Sequence, residues 1–135
     1  TNTGSSDAYN YYYFTTKDFT FGNIAVRKKI YKVYVTYKSN ESDTNVEIKA
    51  AVNGTGSFDV LFDANSKFKD GTACYTGSSL QGTSNVWKTA ELKFASPSEV
   101  NKVYSLQIQF LSTILAESDF QINDISISHK VKNVK

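Results

Sequence analysis

The chain contains very few of the residues that build disulfide frameworks, metal centres or nucleophilic catalytic sites. Its 135 residues include one cysteine, one histidine and one proline, and methionine is absent. Cys74 alone cannot form an internal disulfide, and one cysteine with one histidine is too few for an ordinary zinc site. We therefore expect the fold to rest on its apolar core, without a resident cofactor.

Long apolar runs and an excess of one charge are also missing. No stretch approaches the roughly 18 to 20 apolar residues that cross a bilayer, so we expect no membrane partner. Fifteen basic side chains stand against thirteen acidic ones, which leaves a formal charge of +2. This near balance gives no reason to expect a nucleic-acid partner.

The length of the chain and its polar beginning indicate one domain. A chain of this size buries roughly two-thirds of the surface that it exposes when unfolded, and two domains would leave neither half enough core. We expect residues 1–8 to be a linker or disordered entry and residues 9–135 to form the single domain. The absence of methionine predicts a trimmed chain or a piece of a longer polypeptide, and we favour the second explanation.

Apolar and polar residues alternate with period two over most of the chain, which is the pattern of strands with one buried face. The aromatic residues, nine Tyr, nine Phe and Trp87, also favour strands. The alternating stretches, separated by turn residues, are 9–16, 19–21, 30–38, 46–52, 58–62, 86–94, 104–110 and 120–129. The pattern predicts an all-β, antiparallel two-sheet sandwich, jelly-roll-like, with roughly seven or eight strands.

Four local expectations follow from this pattern. In residues 30–38, the side chains that should face the core are Tyr31, Val33, Val35 and Tyr37. Asn53-Gly54 suits a tight turn, which predicts a hairpin between residues 46–52 and 58–62. Residues 63–85 are rich in Gly, Ser, Thr and Asn, and should form a long loop with one short strand near Cys74. The apolar phase slips across Asn123-Asp124, which indicates a β-bulge.

The titratable residues do not form a recognisable catalytic set. His129 lies on the final basic strand with no reason to face Cys74 or a particular serine, and the acids lie mostly at turns or outward strand positions. We therefore expect no enzyme activity. Residues 63–67 begin like a calcium loop, but Lys67 stands where an oxygen ligand is required. A weak calcium site at Asp63 or Asp124 with backbone carbonyls stays open.

Aromatic side chains are the sharpest candidates for binding. Trp87, Tyr75 and the outward Tyr34, together with the Tyr11–Tyr13 run, could stack on sugar rings or form a subunit contact. The competing interpretation is structural, since a lone tryptophan at the head of a strand can plug the sandwich. For Trp87 we favour the structural interpretation.

Four stretches resemble a β-domain found near the C-termini of tail proteins of tailed bacteriophages. They are VRKKIYKVYVTYKS (residues 26–39), WKTAELKF (87–94), VYSLQIQF (103–110) and DFQINDISISHKVKNVK (119–135). The likeness covers most of the chain after about residue 18. A weaker likeness joins Trp87 and the last strand to jelly-roll carbohydrate-binding modules.

The tail-protein resemblance implies a structural or assembly domain of a phage virion, in a tail or tail-fibre-like protein assembled in the bacterial host cytoplasm. Its partners would be other virion proteins and copies of itself. The second likeness implies the alternative of a carbohydrate-binding module, which could attach the particle to polysaccharide on the host surface. The two interpretations differ over Trp87 and Tyr34. A structural role places them in the sandwich or a subunit contact, whereas a binding module exposes them together on one face.

Overall fold

This computed structural model describes residues 13–22, 25–39, 43–76, 79–112 and 120–132. Within these ranges, stretches in which β-branched and aromatic residues alternate with polar ones form antiparallel strands. The strands are β1 Tyr13–Thr15, β2 Lys28–Lys38, β3 Asp43–Val52, β4 Lys67–Phe68, β5 Tyr75–Thr76, β6 Ser79–Gln81, β7 Lys88–Lys93, β8 Leu106–Ser112 and β9 Gln121–Val131. A single turn of 3-10 helix, Pro97–Val100, lies between β7 and β8. The expected linker at residues 1–8 lies outside the described residues.

The strands form two sheets, in the orders β9-β2-β7-β4 and β1-β8-β3-β6-β5. The chain passes from one sheet to the other at every connection between described strands except the one between β5 and β6. Such crossing is the connectivity of a jelly-roll sandwich. The predicted all-β, two-sheet antiparallel sandwich is therefore confirmed, with four very short strands among the nine.

The core lies between the two sheets. In the four-stranded sheet its central side chains are Val33, Val35, Tyr37, Ala90 and Leu92, and in the five-stranded sheet they are Val46, Ile48, Leu106, Ile108 and Phe110. All ten are fully buried. Burial of each large apolar side chain contributes roughly 1.5 to 3 kcal/mol. Tyr37 also links the sheets, because its hydroxyl donates a hydrogen bond to the carbonyl of Gln81 in β6.

Two bulges set which side chains face the core. The predicted slip in β9 is confirmed, since Ile122 pairs with Tyr37 and Asp124 with Thr36, which leaves Asn123 as the extra residue. A second irregularity was not predicted. Ser128 pairs with Lys32 and His129 with Ile30, so Tyr31 is the extra residue in β2. The expectation that Tyr31 faces the core is wrong, because the bulge turns its side chain outward and buries Ile30 instead.

The hairpin expected between residues 46–52 and 58–62 is largely absent. Asn53 and Gly54 do form a turn with positive φ, as predicted. Only one bridge follows it, between Ala50 and Val60. Phe62 then bridges Phe94 of the opposite sheet, so this segment crosses the end of the sandwich instead of adding a strand.

Residues 63–85 are more ordered than the expected loop. Among the described residues they supply three short strands, β4, β5 and β6, instead of one. Buried Phe68, Cys74 and Leu80 join them to the core. The sequence does not reveal these three strands, because each has only two or three residues, which is too few to show a period of two.

Candidate functional site

One side of the four-stranded sheet packs on the core, and the opposite side, which we call the outer face, carries the candidate site. Cα partners in antiparallel strands point to the same side, so the register identifies its members. They are Lys32, Tyr34, Thr36 and Lys38 of β2, Thr89, Glu91 and Lys93 of β7, Lys67 of β4, and Gln121, Asp124, Ser126 and Ser128 of β9. None of these side chains is buried.

Trp87 extends the outer face at the head of β7. Thr89, Glu91 and Lys93 point outward and Ala90 and Leu92 point inward, so the alternation carries Trp87 outward as well. Its side chain is 47% exposed. The interpretation that Trp87 plugs the sandwich is therefore wrong.

Lysines lie over both aromatic rings of the outer face. The Lys38 ammonium is 5.2 Å from the centroid of the Trp87 ring, and the Lys69 ammonium is 5.4 Å from that of Tyr34. Contacts of this kind are each worth about 0.5 to 1 kcal/mol at exposed sites. They place each ring beside a positive charge.

A short turn after β4 holds Lys69 and closes one corner of the outer face. Both carboxylate oxygens of Asp70 are engaged: Oδ1 accepts hydrogen bonds from the Thr72 hydroxyl at 2.6 Å and its N–H at 2.9 Å, and Oδ2 lies 3.2 Å from Lys88 Nζ. The hydrogen bonds from Thr72, with a smaller contribution from Lys88, lower the pKa of Asp70 to about 2. The carboxylate therefore stays ionised under ordinary conditions and fixes the turn.

Trp87 and this turn enclose a shallow groove of about 340 Å³. Its lining combines the indole with charged and apolar side chains, namely Phe68, Lys69, Asp70, Val86 and Lys88, together with Thr89. Beyond the groove, the Thr36 and Thr89 hydroxyls lie 2.8 Å apart at the centre of the outer face. Aromatic area, charge and hydroxyl groups are thus adjacent on one open surface.

Glu91 is the acid at the centre of the outer face. Lys32 Nζ donates a hydrogen bond to its carboxylate at 2.9 Å. This bond is the largest cause of a lowered pKa of Glu91, to which the charges of Lys32, Lys69 and Lys93 also contribute. A general acid needs a raised pKa, so Glu91 is poorly suited to donate a proton.

The other residues predicted for a site do not join the outer face in one place. Tyr75 is 2% exposed in β5 of the opposite sheet, so burial removes it as a surface contact. Asp63 accepts a hydrogen bond from the Asn65 N–H at 2.8 Å, and its own N–H donates to the carbonyl of Lys93, the last residue of β7. Asp124 accepts one from the Ser126 hydroxyl at 2.9 Å in β9, at the other edge of the sheet.

Asp63 lies beside the end of β7 and Asp124 lies in β9, so a weak calcium site would use only one of them with backbone carbonyls, and it stays a prediction. In the described ranges, no three His, Cys, Asp or Glu side chains converge as metal ligands. His129 is exposed, with its ring centroid 4.3 Å from that of Phe21. Tyr11 and Tyr12 of the predicted tyrosine run lie outside the described residues.

Comparisons of the chain with known protein families, curated proteins and solved structures find no match. The resemblances to phage tail proteins and to carbohydrate-binding modules therefore stay predictions. Within the described residues, no helix is long and apolar enough to span a bilayer.

Proposed function

We propose that this domain binds polysaccharide on the outer face of its four-stranded sheet, without cleaving it. The observation that carries the proposal is the position of Trp87, half exposed on the same open face as Tyr34. The apolar CH faces of sugar rings stack on aromatic rings of this kind, and tryptophan and tyrosine are enriched at binding interfaces.

The polar side chains around the two rings support this proposal. Sugars present many hydroxyl groups, each of which donates and accepts hydrogen bonds. Thr36, Thr89, Ser126, Ser128 and Gln121 offer hydroxyl and amide groups along the neighbouring strands. The open face of the sheet lets several sugar units lie across these groups at once, as an extended polysaccharide requires.

Binding without hydrolysis follows from the acids of the outer face. Glycoside hydrolysis uses two carboxyl groups that flank the bond, one of them a proton donor. Here Glu91 is paired with Lys32, and Asp124 lies on β9, with β2 between it and the strand of Glu91. We therefore assign the outer face to binding alone.

The virion role predicted from the tail-protein resemblance is compatible with this proposal. Attachment to polysaccharide of the host surface would use the outer face directly. A purely structural domain would cover Trp87 by contact with another subunit, because the sandwich itself leaves it exposed. Light scattering distinguishes these cases, since a monomer in solution keeps the outer face free whereas a stable oligomer that buries Trp87 favours assembly.

We expect Trp87→Ala and Tyr34→Ala each to weaken binding to the glycans that the unmodified domain retains on a glycan array. Loss of one stacked ring costs about 1 to 3 kcal/mol by analogy with base stacking, which corresponds to a roughly 5- to 150-fold rise in Kd. Affinities would be measured by titration of the glycans that the array identifies.

The matched control for this experiment is Phe14→Ala. Phe14 is 42% exposed, close to the 47% of Trp87, but it lies in β1 of the opposite sheet. Its loss should leave glycan affinity unchanged. The proposal is overturned if the domain is a monomer that binds no glycan, or if Phe14→Ala and Trp87→Ala weaken binding equally while thermal melting shows both variants folded.

A further inference from the structure

We infer that the polysaccharide bound on the outer face is acidic, with carboxylate or other anionic groups along its chain. This inference rests on the proposed function and adds the charge of the ligand. It comes from how lysines and acids are distributed on the outer face, which differs from their near balance over the whole chain.

The outer face and its adjoining turn concentrate positive charge. The lysines are Lys32, Lys38, Lys67, Lys69, Lys88 and Lys93, whereas the acids are Asp70, Glu91 and Asp124. The whole chain has an excess of only two positive charges, so this one surface accounts for more than the net excess. Concentrated charge of one sign attracts a ligand of the other sign.

The acids at this surface do not neutralise it. The Glu91 carboxylate is bonded to Lys32, and the charges of Lys69 and Lys93 act on it as well, so one negative charge lies among three positive ones. Lys38 and Lys69 form no ion pair within the described part of the chain, and both lie over aromatic rings. A sugar stacked on either ring would displace the ammonium to the edge of that ring, where an anionic group on the sugar would meet it.

Single-stranded nucleic acid also combines negative charge with rings that stack, but the spacing of the aromatics favours a glycan. Tyr34 is opposite Glu91, and Trp87 lies four residues away along β7, which is about 13 Å at the rise of a strand. Successive stacked bases rise by only about 3.4 Å. At this backbone separation the two rings do not suit directly neighbouring stacked bases, whereas separate units of a polysaccharide can reach both.

The test measures binding of the intact chain to four probes: a galacturonic-acid hexamer, a sulfated heparin hexasaccharide, neutral cellohexaose and a single-stranded DNA hexamer. At 50 mM NaCl we expect at least one of the two acidic sugars to bind tenfold or more tightly than cellohexaose. Raising NaCl to 500 mM should remove most of this difference, because salt screens exposed charges.

Charge-removing variants locate the effect. Lys38→Gln and Lys69→Gln should each weaken binding of the acidic sugar about fivefold or more and leave binding of any neutral sugar within twofold. Lys102→Gln is the matched control. Lys102 is exposed and lies next to Val103, which bridges Lys28 at the end of β2 opposite to Lys38. Its affinity should be unchanged.

Three results would overturn the inference. If cellohexaose binds as tightly as both acidic sugars and the lysine variants have no effect, the ligand is neutral but the proposed function stands. If the DNA hexamer binds more tightly than every sugar, the outer face serves nucleic acid instead. If no sugar binds and the array is also blank, the proposed function fails together with the inference.

Discussion

Replacing Phe110 with alanine should lower the free energy of unfolding by about 3 to 5 kcal/mol, the usual range for removal of a buried phenylalanine ring. Phe110 is fully buried at the centre of β8, where its Cα partners are Phe14 of β1 and Ile48 of β3. β8 is hydrogen-bonded to a neighbouring strand on both sides, so the backbone can close only part of the cavity. The measurement is urea denaturation followed by circular dichroism.

Phe14→Ala provides the comparison for this stability effect. The Phe14 ring contacts that of Phe110, with centroids 6.0 Å apart, but 42% of Phe14 is exposed on a three-residue edge strand. We expect its loss to cost about 1 kcal/mol, the typical value for a point substitution. Similar losses for Phe14→Ala and Phe110→Ala would show that the five-stranded sheet does not carry its core where the structure places it.

Alkaline conditions should destabilise the fold from about pH 9 upward. Burial raises the pKa of the Cys74 thiol from 9.0 to about 12 and that of the Tyr75 hydroxyl from 10.0 to about 12. At a pH between the ordinary and the raised pKa of each group, the group has lost its proton in the unfolded chain but still holds it in the folded chain. Stability then falls as pH rises, by at most about 1.4 kcal/mol per pH unit for each group.

Lys28 acts in the opposite direction. It is fully buried, and this burial lowers the pKa of its ammonium group, so its contribution to stability rises with pH below 10.5. We expect the two acidic groups to prevail because their pKa values are raised strongly and they act together. Urea midpoints measured at half-unit intervals from pH 8 to pH 11 would show the fall.

Substitutions separate the two titrating groups from general instability. Cys74→Ala and Tyr75→Phe should each make the fall with pH shallower, whatever they do to stability at pH 7. Val100→Ala removes part of a buried side chain that does not titrate, so it should lower stability equally at every pH. A fall with pH that is the same in Cys74→Ala, Tyr75→Phe and the unmodified domain would contradict this assignment.

Periodicity predicted the architecture because the long strands each have one buried face. Val33, Val35 and Tyr37 of β2 and Leu106, Ile108 and Phe110 of β8 all face the core as their alternation indicates. The slip at Asn123 was also visible, since the apolar residues of β9 change phase there. The bulge at Tyr31 was not visible in the sequence, because tyrosine fits the alternating pattern whether its side chain points inward or outward.

The candidate site could have been predicted in part. The alternation of residues 86–94 puts Ala90, Leu92 and Phe94 on the core face, and this parity alone places Trp87 on the outer face. The plug interpretation therefore contradicted the alternation of its own strand. The contact between Lys69 and Tyr34 could not be predicted from alternation. Lys69 lies in a turn held by Asp70, and its contact with Tyr34 depends on the order of strands in the sheet, which alternation does not reveal.

The most direct test of polysaccharide binding on the outer face is an NMR titration that follows the single indole N–H signal. Trp87 is the only tryptophan in the chain, so this signal needs no further assignment. With whichever acidic hexamer binds more tightly, galacturonic acid or sulfated heparin, we predict saturable shifts of the indole signal and of the amide signals of Tyr34, Thr36, Thr89 and Glu91. An unmoved indole signal at millimolar ligand, or shifts confined to the five-stranded sheet, would contradict the account.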